Sequence, residues 1–206
     1  MNYRAYKFGW FKTSNVELFD LFKSWIAISF AFGIAFSGLK FDTTFIYSLI
    51  LAFVVVGTAF IFHELGHKIV AQKYKYPAEF RAFDKMLWLA IGLSFLGFVI
   101  AAPGAVMIQA KRISKKINGY ISLAGPLVNV VLALFFFIVF RLIFVDAGSF
   151  IINSWSVADI LIKVNGFIAL FNLIPAWLFD GAKIWRWNKL VWIVMVIVSA
   201  ACAFVI

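Results

Sequence analysis

The chain has little of what a water-soluble globule needs. Charged residues make up 14% of its 206 residues, against roughly a quarter in soluble domains, while 65% are hydrophobic and mean hydropathy is +1.00. These figures exclude an ordinary soluble core. Cysteine occurs once, at Cys202, so no disulfide can form within the chain and no cysteine cluster can hold a metal. Any metal must use other ligands. Proline occurs four times, no Pro-, Gly- or Ser-rich linker divides the sequence and no repeat is visible, so one integral-membrane domain over 1–206 is expected. Acids are also scarce: nine Asp and Glu against 19 Lys and Arg give a net charge of +10. The basic residues sit between long apolar runs, where cationic loops beside an anionic bilayer surface explain them, so a nucleic-acid partner is not expected. Glu17 and Asp20 precede the first apolar run without a small-residue cleavage site, which argues against a removable signal peptide.

What is present is a series of apolar runs of membrane-spanning length: Leu21–Leu39, Thr43–Phe62, Met86–Ala110, Ile117–Phe140, Ile160–Phe179 and Leu190–Ile206. Six crossings with an inner N-terminus would leave 11 of the 19 Lys and Arg inside, a weak bias. If Met86–Ala110 instead enters and returns on one side, 16 of the 19 lie inside and only Lys40, Arg141 and Lys163 outside, which the positive-inside rule strongly prefers. Ala102, Pro103 and Gly104 interrupt that run and favour a turn or an extended stretch through Ile108. The expected fold is an all-α polytopic membrane protein. About five transmembrane helices are expected, with a re-entrant or short β element near 86–110 and the N-terminus and site toward the cytoplasm. Non-helical backbone at membrane depth must border protein or a watery cavity.

The second run ends in AFIFHELGHKIVAQ. His63 and His67 stand four apart, so a helix puts both imidazoles on one face, close enough to share one zinc ion. Glu64 lies about 100° round the helix from His63, able to take a proton from a zinc-activated water while the metal polarises a scissile carbonyl. A histidine on an apolar helix is often only a hydrogen-bonded core residue. Here, however, the chain's only two histidines and one of its three glutamates form the motif together, and ionisable groups at membrane depth cost about 2.5–3.5 kcal/mol on insertion scales. A catalytic zinc wants a third protein ligand and an open position. Glu17, Asp20, Asp42, Glu79, Asp84, Asp146 and Asp159 lie in or beside loops with basic neighbours, where solvated charge is the default. Asp180 ends the apolar run GFIALFNLIPAWLFDG and, in the re-entrant topology, returns to the level of His63 and His67. One zinc per chain held by His63, His67 and Asp180, with Glu64 as acid/base, is the reading.

HELGH followed by NLIPAWLFDG resembles the site-2 protease family of intramembrane zinc metalloproteases. Its second signature is matched by Asn172, Pro175, Asp180 and Gly181, and its Gly-Pro-then-Asn element by Gly125, Pro126 and Asn129. The likeness covers Phe60 to Trp185, within a catalytic core of about 43–185, and departs at Leu173, where the family usually has proline. It implies cleavage of transmembrane protein substrates within the bilayer (regulated intramembrane proteolysis). It also implies substrate contacts from Asn129 and Asn172, and short membrane-associated strands matching Ala102–Ile108. No insert is long enough for the PDZ or CBS domains of some members. Two other readings are a membrane metal transporter or metal sensor and an inactive, helix-binding relative. Smaller expectations are that Pro175 loosens the helix before Asp180 and that Trp25, Trp88, Trp155, Trp177 and Trp192 belong to interfacial belts.

Overall fold

The computed structural model describes residues 3–40, 42–99, 103–110, 112–143, 151–152, 155–176 and 179–204; the expectations for Ala102, Asp146 and Trp177 lie outside them. The chain forms two compact units, Met1–Glu64 with Ala71–Ala110, and Leu65–Val70 with Lys111–Ile206. Among the described residues it is mostly helical, and three helices are long and apolar enough to cross a membrane.

The first unit opens with a hairpin that the sequence reading did not foresee, β1 (Ala5–Phe8) and β2 (Phe11–Ser14), closed by Gly9 at φ +60°. Its signal is the alternation through YKFGWFKT around one glycine. The first membrane-length helix, α1 (Asn15–Ser37), starts before Leu21 because Ser14 and Glu17 form its N-terminal box: the Ser14 hydroxyl accepts the Glu17 N–H at 3.2 Å. Glu17 is therefore not a solvated loop charge but fully buried. Its carboxylate accepts the Thr13 hydroxyl at 2.8 Å and the Phe80 N–H at 2.9 Å. Burying a carboxylate is tolerable only with such partners. The second helix, α2 (Thr43–Lys73), is about 46 Å long at 1.5 Å per residue. Near its end Gln72 works as a strand fragment, accepting the Lys12 N–H at 2.9 Å and donating to the Lys12 and Ala78 carbonyls at 2.8 and 3.0 Å. The indole of Trp25 donates to the Phe53 carbonyl at 2.9 Å.

The run Met86–Ala110 is not one helix. Strand β3 (Ala78–Ala82) leads into α3 (Asp84–Ser94), and β4 (Gly104–Ile108) then pairs antiparallel with β3. The ladder continues past both strands, with the Phe83 N–H on the Pro103 carbonyl and the Gln109 N–H on the Pro77 carbonyl, each at 2.9 Å. The chain thus leaves and re-enters the same point between Phe83 and Pro103, which a full crossing cannot do. At about 16 Å, α3 is also too short for a bilayer core of about 30 Å. Pro103 and Gly104 end the excursion as the sequence suggests.

In the second unit α4 (Lys115–Phe137) is followed by a π-helical turn, Ile138–Ile143. Then come α5 (Val157–Asn172), α6 (Asp180–Trp187) and α7 (Lys189–Phe204). Val130, Ala169, Leu173, Ile184 and Met195 form its core. The fifth apolar run therefore ends at Asn172, and Asp180 opens a new helix rather than closing the old one. Pro175 lies beyond α5 and loosens no helix. Leu173, where the family has proline, is fully buried, and its N–H reaches the Ala169 carbonyl at 3.1 Å, a bond proline could not make.

Candidate metal centre

His63 and His67 stand one turn apart on the unbroken α2, and both are buried. Within the second unit, Nδ1 of His67 lies 2.7 Å from the Ile121 carbonyl of α4. A carbonyl only accepts, so Nδ1 carries the ring proton and Nε2 presents its lone pair. The geometry has local causes. Pro126 inside α4 cannot bond the Ser122 carbonyl, opening the turn beside the one from which Ile121 reaches out. Gly66 lets the two helices touch: a Cβ there would stand 2.9 Å from the Ala124 oxygen.

Nε2 of His67 lies 3.0 Å from Oδ2 of Asp180. A lone pair and a carboxylate oxygen repel at that distance unless a cation, proton or metal, is shared between them. The other carboxylate oxygen of Asp180 is 3.3 Å from the Lys183 ammonium, one turn along α6. Gly181 sets this placement. A Cβ there would lie 2.0 Å from the Leu173 oxygen, and that oxygen is held by the Trp192 indole at 2.7 Å. Only glycine lets α6 start against the end of α5.

His63 is carried to the same place by the helix it shares with His67, and ligand atoms of His63, His67 and Asp180 all lie within 4.8 Å of one another. Two imidazole nitrogens and one carboxylate oxygen, with backbone support behind His67, are the donor chemistry of a catalytic zinc with one position open. The residues present fit that ion. The two asparagines each donate a hydrogen bond within the second unit. Asn129 donates to the Asn165 side chain at 3.1 Å, Asn165 donates on to the Leu161 carbonyl at 2.8 Å, and Asn172 bonds back to the Ile168 carbonyl at 2.9 Å. Sequence reasoning missed Asn165, although an asparagine inside an apolar run is a recognisable signal. Lys68, one of the charges assigned to the inner side, is buried in α2 at 2% exposure.

Apolar helices of membrane length and a His-His-Asp donor set define a membrane-embedded metallopeptidase class. The description Peptidase family M50 matches residues 51–151. MJ0611 of Methanocaldococcus jannaschii, whose name assigns it provisionally to the zinc metalloproteases, is 41% identical over 186 residues, 90% of this chain and 91% of that protein. Zinc metalloprotease MJ0392 of the same organism is 33% identical over 134 residues, 65% of this chain but 33% of that longer protein. No solved structure matches the chain. The chain belongs to Peptidase family M50, the site-2 proteases, a family of zinc metalloproteases.

Proposed function

We propose that this protein is an intramembrane endopeptidase that holds one zinc ion through His63, His67 and Asp180 and hydrolyses peptide bonds in the transmembrane segments of other proteins. The observation that carries the reading is His67, with Nδ1 committed to Ile121 and Nε2 aimed at Asp180. Zinc bound there would supply Lewis acidity toward water and the scissile carbonyl. Glu64, one residue after the first histidine, takes the proton from the attacking water and passes it to the leaving amine. Asp180 is oriented by the Gly181 contact and by Lys183. We assign no step to Asn129 or Asn172, whose amides bond within the protein.

A helical substrate shields its peptide bonds, so cleavage needs an extended segment, and the β3–β4 sheet offers one edge for it. On β3 the outward groups are taken, the Phe80 N–H by Glu17 and the Ala78 carbonyl by Gln72. On β4 the antiparallel alternation turns the N–H and C=O of Gly104, Val106 and Ile108 away from β3, and a substrate strand adds there. The sheet rests on α2 through Phe80 against Phe60, ring centroids 5.6 Å apart, one turn before Glu64.

The topology that goes with this reading has five spans, α1, α2, α4, α5 and α7. Segment 83–103 dips in and out on the cytoplasmic side, which keeps 16 of the 19 Lys and Arg inside. The test is metal analysis of the purified protein with cleavage assays on a panel of single-span substrates. Glu64→Gln should retain zinc and lose hydrolysis by at least about 10²-fold. Zinc without cleavage of any substrate would instead favour a transporter, a sensor or an inactive relative.

A further inference from the structure

The sequence spends stability at one place that catalysis does not use. In the N-terminal hairpin Lys7 stands directly opposite Lys12. The Lys12 N–H and carbonyl are both taken by Gln72, so this is a non-hydrogen-bonded pair, the kind whose side chains approach most closely. Like charges directly opposed across a hairpin are destabilising. Nearby, Lys75 ends α2 at φ +64°, a left-handed position that usually takes glycine or asparagine. Its N–H bonds the Gln72 carbonyl at 2.9 Å, and the following Tyr76 N–H bonds the Ala71 carbonyl at 3.0 Å. Two unfavourable choices, each placing a lysine, converge on one feature.

That feature is a cavity of about 550 Å³ in the first unit, which Lys7, Lys12 and Lys75 line together with Tyr6, Trp10 and Tyr76. None of the three lysines is ion-paired among the described residues. The one acid lining it, Glu79, accepts the Tyr3 hydroxyl at 2.9 Å and pairs with Arg81. The cavity therefore holds uncompensated positive charge. It also lies where the membrane-length helix α2 ends and just before the membrane-length helix α1 begins, and Tyr3, Phe8 and Trp10 around it are 55–66% exposed. Aromatic rings of this kind settle at headgroup level.

We propose that this cavity binds the phosphate-bearing headgroup of an anionic phospholipid. The phosphate lies between Lys7, Lys12 and Lys75 and relieves their repulsion, while the exposed rings rest among the neighbouring lipids. A headgroup seated there brackets Gln72 and Glu79, which hold β3 in place, so lipid occupancy sets the order of the sheet without touching the metal centre. The site stands independently of the proteolytic reading.

The test is native mass spectrometry of the detergent-solubilised full chain titrated with phosphatidylglycerol, with phosphatidylcholine, and with inorganic phosphate alone. Wild-type protein should retain phosphatidylglycerol in preference to phosphatidylcholine. Exchanging Lys7, Lys12 and Lys75 together for glutamine should weaken that binding by at least about tenfold, since a lysine near an anionic surface contributes roughly fivefold. The same number of charges removed at Lys85, Arg112 and Lys115 should leave it within about threefold. Because Lys7 and Lys12 repel each other, the triple variant should melt no lower than wild type without lipid. Equal retention of the two lipids, equal loss in the two triple variants, or inorganic phosphate matching phosphatidylglycerol would each overturn the proposal.

Discussion

Replacing Gly181 by alanine tests how Asp180, the proposed third ligand, is delivered. The new Cβ would lie 2.0 Å from the Leu173 oxygen and 2.3 Å from its carbonyl carbon, where ordinary contact begins at 3.4 Å, so one side must retreat by about 1.4 Å. Leu173 resists, because it is fully buried and its oxygen is held by the Trp192 indole at 2.7 Å. The start of α6 moves instead and takes Asp180 with it, opening the 3.0 Å approach to His67. Misplacement by about an ångström at a preorganised site costs roughly 10²-fold, and overpacking costs about 1–3 kcal/mol. Chelator competition on the purified protein should show zinc affinity down by about 10²-fold, and thermal unfolding should show a lower midpoint. Gly92→Ala, where a Cβ meets nothing within 4 Å, is the matched control and should bind zinc as wild type does. A Gly181→Ala protein with wild-type affinity and melting would refute the claim that this contact positions Asp180.

Glu17→Ala strands the Phe80 N–H and the Thr13 hydroxyl, and two lost hydrogen bonds to a charged group cost about 3 kcal/mol. The melting midpoint should fall by roughly 5–10 °C, and Glu17→Gln should fall less; an unchanged midpoint for the alanine variant would show that Glu17 does not hold β3. Val106→Pro removes an N–H that points away from β3 and leaves the ladder intact, so zinc content should stay at wild type while cleavage drops. Full cleavage by that variant would rule out strand addition on β4. Gly104 is unsuited to the same experiment, since any side chain there would lie 2.3 Å from the Arg81 oxygen. Double replacement of His63 and His67 by alanine should abolish zinc retention in metal analysis, and retained stoichiometric zinc would place the ion elsewhere.

The candidate metal ligands stand out in the sequence because each is chemically improbable where it stands. Two histidines at helical spacing and an aspartate ending an apolar run are costly in a bilayer unless they are used. The charge distribution and the Pro103–Gly104 break likewise marked 86–110 as something other than a crossing, and the β3–β4 register closes that excursion on itself. Apolar periodicity located the helices but not their ends. It carried the fifth run through to Phe179, because Leu, Ile and Pro read as equally apolar in a span and in a turn. It missed the N-terminal hairpin, whose strands are four residues each.

By itself the sequence determined the apolar, membrane-length character of the chain, the helix that carries the histidine pair and the candidate donors, since these follow from side-chain chemistry and local spacing alone. Only the tertiary structure decided that Glu17 is buried, which edge of the sheet is open, that Gly181 seats Asp180 against the end of α5, and that the Ile121 carbonyl fixes the face His67 presents. Each of these depends on a backbone atom from a distant part of the chain, and a backbone carbonyl or N–H has the same chemistry at every position until folding brings it to a partner.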